Sequence, residues 1–144
     1  MNLDLAIKLA TEAHAGQLDK RGVPYILHPL RVMLAMKTED ERIVAALHDV
    51  VEAKAISCDD LYWVYGFSPD VVVAIDAVSR RPLETYFDYI RRAGANPIAR
   101  AVKIADIMDN LDPDRPIADP EQAEKLQARY SRALDLLLVT NTEK

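Results

Sequence analysis

One stretch limits what this chain can fold into: Ile43-Val44-Ala45-Ala46-Leu47-His48-Asp49-Val50-Val51-Glu52-Ala53. Apolar residues fall on nearly every side of it at helical spacing, so it reads as a helix buried all round rather than one with a wet face. Its middle nevertheless carries His48 beside Asp49, with Glu52 one turn on. Burying an imidazole next to a carboxylate is unfavourable unless both are paired or bind a metal. A divalent metal would supply that partner, and the remaining ligands must then come from elsewhere in the chain.

Length and composition fit such a core. At 144 residues, half of them hydrophobic, the chain is expected to form one domain over 1–144 with a substantial interior. A net charge of −5 argues against nucleic-acid binding driven by phosphate contacts, though not against a small anionic ligand held by a local cationic cluster. Cys58 is the sole cysteine, so no internal disulfide can form. With a start, Met1-Asn2-Leu3-Asp4, that lacks an export pattern, this predicts a reducing, cytoplasmic setting. Apolar runs stop well short of the roughly 20 residues that span a bilayer, so no membrane partner is expected. Neither GxGxxG nor GxxxxGK[ST] occurs.

Taken in order, the chain predicts helices and no convincing strand. The spacing of Leu3, Ala6, Ile7, Leu9, Ala10 and Ala13 gives a helix over Leu3–His14, closed by Gly16. A polar loop, Gln17–Pro24, precedes an extended lead-in, Pro24–Pro29. Pro29 then reads as the first residue of a helix reaching about Met36, with His28 at its mouth. Thr38 and Glu41 form a capping box for the central helix, which runs through His48, Asp49 and Glu52. Further helices are expected over Ser57–Tyr65, Val71–Val78, Thr85–Ala93 and Ile98–Leu111. A closing helix over 120–140 turns Leu126, Tyr130, Ala133, Leu134, Leu137 and Leu138 inward. The class is all-α, with about seven or eight helices.

Lys103, Asp106 and Asn110 stand at i, i+3 and i+7 on one face of the Ile98 helix, beside Asp109. That stripe suggests a lined pocket; a solvated face is the plainer alternative. A lone histidine in an apolar helix is likewise more often a hydrogen-bonded core residue than a ligand. Together, however, His28, His48, Asp49 and Asp106 offer two imidazoles and two carboxylates. Such a mixed set suits manganese, iron(II) or zinc better than calcium and leaves positions open for water and substrate. Glu52 would then orient or deprotonate the attacking water.

The order H, then H-D, then D resembles the HD-domain superfamily of metal-dependent phosphohydrolases. Four blocks, Ala-His14-Ala-Gly-Gln17, Pro24-Tyr25-Ile26-Leu-His28-Pro29, Leu47-His48-Asp49-Val-Val-Glu52 and Lys103-Ile-Ala-Asp106-Ile-Met-Asp-Asn110, are similar to the hydrolase domain of the RelA/SpoT family and its small single-domain relatives. The likeness runs over roughly residues 3 to 112, with a metal-site core at 14–112. It implies a compact HD-domain fold and removal of the 3′-pyrophosphate from guanosine tetra- or pentaphosphate. It also implies one divalent transition metal, manganese first, with zinc, iron or nickel as alternatives. Residue by residue, it implies that His28, His48, Asp49 and Asp106 hold the metal and that Glu52 positions water. Lys20, Arg21, Tyr25, Lys103 and Asn110 would meet the nucleotide. The family's Glu-Asp pair is Glu52-Ala53 in this chain, and the Arg preceding its loop lysine is Asp19. Two alternatives stay open: an HD phosphohydrolase acting on another nucleotide or phosphoester, favoured by Asp19, and a catalytically weak metal-containing nucleotide-binding module, favoured by Ala53.

Other residues read as structural. His14 is expected to hydrogen-bond at a helix end, Cys58 to be a small packing residue, Trp63 to belong to the core, and Tyr86 and Tyr89 to pack. The closing helix is expected to face the core, with a homodimer seam as the alternative.

Overall fold

Side-chain caps mark where helices begin. Thr38 Oγ1 accepts the Glu41 amide at 3.1 Å while Glu41 Oε1 accepts the Thr38 amide at 3.0 Å. Ser57 and Asp60 form a second such box. Ser68, Thr85 and Asn96 each take the amide three residues on. Every cap satisfies an N–H that the first turn leaves without an intrahelical acceptor. The computed structural model describes residues 2–53 and 55–142. Its helices are α1 Asn2–Ala13, α2 Leu27–Leu34, α3 Glu39–Leu47, α4 Cys58–Trp63, α5 Pro69–Ala77, α6 Tyr86–Gly94, α7 Pro97–Asn110 and α8 Pro120–Thr142. Among the described residues the only strand-like pairing is a single bridge between Leu18 and Pro24. The fold is all-α, as the sequence predicts.

Helix α3 is the axle. Ile43, Val44, Ala45, Ala46 and Leu47 are all buried, and α1, α2, α5 and α7 pack round them. Full burial of a side chain such as Leu47 contributes about 1.5–3 kcal/mol, so this one helix anchors its four neighbours. A second apolar cluster, Tyr89, Ile90, Ile107, Ala133 and Leu137, joins α6, α7 and α8.

Four expectations are corrected. The central helix stops at Leu47, and residues 48–53 form turns. The reason lies in the Ala45 carbonyl, which a continuing helix would offer to Asp49. Here it accepts His48 Nδ1 at 2.6 Å and the His48 amide at 3.4 Å, and the chain tightens into three-residue turns. Second, residues 25–26 turn rather than extend, and α2 begins at Leu27, so His28 lies inside its first turn. Pro29 is the third helical residue rather than the first. It is tolerated because its missing N–H belongs to the group with no partner anyway. Third, Trp63 is 78 % exposed. The six-residue α4 presents one buried residue, Leu61, and Phe67 beyond it fills the adjoining interior. Fourth, Leu138 is 51 % exposed: α8 packs chiefly on α6 and α7, so its buried stripe is narrow. No described helix is long and apolar enough to cross a membrane.

Candidate metal centre

The corrected helix ends are what assemble the site. α2 delivers His28 from its first turn, the turn after α3 delivers His48 and Asp49, and α7 delivers Asp106. His28, His48 and Asp49 each place one ligand atom within 4.8 Å of the others. Asp106 Oδ1 adjoins them, 2.7 Å from His28 Nε2 and 3.3 Å from His48 Nε2. Asp49 Oδ2 lies 3.1 Å from His48 Nε2 and 3.9 Å from His28 Nε2.

One ring proton can be assigned by chemistry. His48 Nδ1 faces a carbonyl and must donate to it, which leaves the lone pair on Nε2. That buried Nε2 has no hydrogen-bond partner. His28 has a carboxylate at each ring nitrogen, Asp109 Oδ2 2.7 Å from Nδ1 and Asp106 Oδ1 2.7 Å from the inward Nε2. Two inward ring nitrogens and two carboxylates therefore converge. A cation is what such a set lacks, and the donors present fit a divalent metal.

The surrounding groups hold the four in place. Lys103 Nζ lies 2.8 Å from Asp106 Oδ2 and also rests over the Tyr89 ring. Tyr25 donates its hydroxyl to Asp49 Oδ2. Asp109 is a hub: besides His28 it binds Arg31 through two bonds of 2.8 and 3.0 Å and Arg115 at 2.5 Å. Burial opposes charge on every group here, yet neighbours outweigh it. Asp106 is held well below the carboxylate range by Lys103 and His48, and Asp49 at about 2 by His48. His48 is raised by Asp49 and Asp106, and His28 by Asp106 and Asp109. Lys103 is raised by Asp106. The charged carboxylates thus draw positive charge onto the imidazoles and Lys103 around them.

A cleft of about 430 Å³ opens over the cluster. Lys20, Arg21, Tyr25, Lys103 and Asn110 all line it, as do Arg31 and Arg115. Ile117, Leu126 and Tyr130 give it an apolar far wall. Asp19 has a loop role: it accepts the Arg21 and Val23 amides at 2.8 and 3.1 Å and pairs with the Arg21 guanidinium at 3.1 Å. Glu52 does not line this cleft. It belongs to a neighbouring one with Ser79, Arg80 and Arg81, and its Oε1 accepts the Arg80 amide at 2.5 Å. Burial raises its carboxyl, and Asp49 adds to that rise against the pull of the Arg80 bond. Ala53 is exposed.

The remaining residues read as structural behave so. His14 is buried at the end of α1 with Nδ1 2.8 Å from Gln17 Oε1. Tyr89 is buried and donates to the Val78 carbonyl, and Cys58 is half-buried. The sequence reading missed the hub Asp109 and its arginines. The signal was present: Asp109 follows Asp106 by three residues, which puts both on one face of α7.

Fold and site together define an all-α domain of HD type with a candidate divalent-metal centre. No family model matches the chain. It is 38 % identical over 76 residues to a guanosine-3′,5′-bis(diphosphate) 3′-pyrophosphohydrolase of Vibrio cholerae, covering 50 % of this chain and 10 % of that protein. It is 37 % identical over 79 residues to the bifunctional (p)ppGpp synthase/hydrolase SpoT of Escherichia coli, covering 52 % and 11 %. A probable GTP pyrophosphokinase of Mycobacterium leprae is 31 % identical over 131 residues, covering 83 % and 17 %. The chain thus spans between 10 % and 17 % of these relatives' length. A solved structure described as a metazoan ortholog of SpoT that hydrolyzes ppGpp superposes with a TM-score of 0.74, at 23 % identity, over 94 % of this chain and 85 % of that one. The chain is a relative of the HD-domain hydrolases of RelA/SpoT type.

Proposed function

We propose that this protein is a metal-dependent phosphohydrolase that releases pyrophosphate from a guanosine polyphosphate or a close nucleotide analogue in the cytoplasm. Residues 1–144 act as one HD unit, with the metal-site core at 14–112. The observation that carries the reading is the buried, unpartnered Nε2 of His48 beside His28, Asp49 and Asp106, beneath a cleft rimmed by Lys20, Arg31 and Arg115. The named relatives supply the substrate class.

His28, His48, Asp49 and Asp106 would hold the metal, with manganese first. Once bound, it supplies Lewis-acid polarisation and charge neutralisation at a phosphate. Around it, Asp109 fixes the ring of His28 and Tyr25 fixes the carboxylate of Asp49. Lys103 holds Asp106 and turns its charge toward the cleft. Lys20, Arg21 and Asn110 receive the polyphosphate and ribose, and the apolar wall takes the base. Glu52 would orient the attacking water and take its proton while the bond between the ribose oxygen and the pyrophosphate phosphorus breaks, that proton ending on the released ribose hydroxyl.

Ala53, where the family has the second carboxylate of its Glu-Asp pair, favours one second reading: a nucleotide-binding module of weak turnover. A manganese-dependent pyrophosphate-release assay over a panel of nucleotides separates the two. The expected result is release from guanosine tetraphosphate that requires added manganese and disappears in His48→Ala. Binding without release, with a large gain in Ala53→Asp, would establish the second reading. Release only from other phosphoesters would transfer the proposal to those substrates.

A further inference from the structure

One arginine outside the metal cleft holds together the segment that Glu52 leans on. Arg92, on α6, donates Nε to Glu84 Oε2 and Nη2 to Glu84 Oε1, both at 2.9 Å. Its Nη1 donates to the Asp76 carbonyl at 2.9 Å and its Nη2 to the Ser79 carbonyl at 2.7 Å. A single planar fork thereby ties the end of α5, the start of the connecting turn and its far end. The next amide after Ser79 is that of Arg80, and it is this N–H that the Glu52 carboxylate accepts.

The turn itself would not hold this shape unaided. Leu83 has φ +66°, a left-handed conformation uncommon outside glycine, and its side chain is fully exposed. Nothing that Leu83 packs against offsets that strain. The Glu84 contacts do: its carboxylate meets Arg92 and accepts the Arg81 amide at 3.1 Å, and its own amide donates to the Arg81 carbonyl at 3.2 Å.

We propose that Arg92 is a positioning residue for Glu52: it clamps the Ser79–Glu84 turn so that the Arg80 amide aims the Glu52 carboxylate. The proposal rests on the reading of Glu52 as the water-orienting group. Arg92 lines neither the 430 Å³ cleft nor the metal cluster, so the two sides of the site can be told apart by experiment. Lysine in its place keeps the charge but cannot reproduce the fork.

The test compares Arg92→Lys and the gentler Glu84→Gln with the parent chain. In both variants, hydrogen exchange at the Arg80 amide should speed up by at least about tenfold while α3 amides stay protected. The carboxyl carbon resonance of Glu52 should move as well. Affinity for manganese, titrated alone, should stay within about twofold. For pyrophosphate release from guanosine tetraphosphate, kcat should fall by about tenfold at unchanged KM. On a Glu52→Gln background, Arg92→Lys should add no further loss. Unchanged Arg80 exchange, or losses from Arg92 and Glu52 that simply add, would overturn the proposal. If the parent chain hydrolyses no phosphoester, the reading of Glu52 falls, and amide exchange with the Glu52 resonance still decides whether Arg92 holds that carboxylate.

Discussion

Two hubs organise this molecule, and they are built in opposite ways. At the first, a carboxylate, Asp109, gathers two arginines and an imidazole between α2 and α7. At the second, an arginine, Arg92, gathers a carboxylate and two carbonyls between α5 and α6. The first hub works mainly through side chains on two packed helices and fixes the His28 ring. The second works through the backbone of a surface turn and fixes a carboxylate at one remove. The difference teaches where rigidity is placed: the residues proposed to hold the metal are locked by the core, while Glu52 depends on a turn that could be altered without disturbing them.

Breaking the core side should have the largest consequence. Asp106 is buried, and Lys103, only 9 % exposed, has it as its ion-pair partner. Removing one member of a buried pair leaves the other charge uncompensated, at roughly 3–5 kcal/mol. Asp106→Ala should therefore lose about that much stability in urea denaturation of the metal-free chain, as well as losing manganese binding. A loss under about 1 kcal/mol would mean that Lys103 finds another acceptor and that this side of the molecule is less rigid than it looks.

Next in size is Asp109→Asn. It keeps the shape of the first hub and removes its charge. Hydrogen-bond partners behind a metal-binding histidine commonly govern affinity by 10–100-fold, so manganese should bind more weakly by about that factor in calorimetric titration. The corresponding change at the second hub, Glu84→Gln, should leave manganese affinity where it was. Equal effects from the two would erase the contrast between a core-held and a turn-held half.

The sequence revealed the two halves unequally, for physical reasons. His28, His48, Asp49 and Asp106 were legible because each is a costly residue in an apolar context, and burial demands an explanation for it. Helix starts were legible because Thr38, Ser57, Ser68, Thr85 and Asn96 write them locally. The end of α3 was not, because it hinges on His48 Nδ1 competing for the Ala45 carbonyl, a side-chain event that periodicity cannot register. Trp63 misled because hydrophobicity says which residues could be buried, not whether a six-residue helix has a second face to bury. Arg92 was invisible because an arginine on a helix looks the same whether it is solvated or donates four bonds to the end of α5 and the turn after it.

The smallest expected effect isolates the second hub by acid titration. The Arg92 fork holds the Glu84 carboxyl at about 2, below its ordinary value of 4.5, with the Arg81 amide and charge assisting. Asp76 also faces this group and is paired with Arg81 at 2.8 Å. A carboxyl depressed on folding contributes stability that is fully present above its unfolded value and is lost as pH falls through its folded one. Glu84 should therefore stabilise the chain above pH 4.5, and that contribution should fade as pH drops toward 2. Because this ion pair lies at the rim, about 1 kcal/mol is the expected size. Asp49, Asp106 and Asp109 are depressed too, so the acid limb of the parent chain alone is not diagnostic. The difference in unfolding free energy between the parent and Glu84→Gln is. It should be constant from pH 7 to about 5 and shrink below that. A difference that stays flat down to pH 2 would mean that Arg92 does not hold Glu84 as a carboxylate, and the clamp on the turn would lose its anchor.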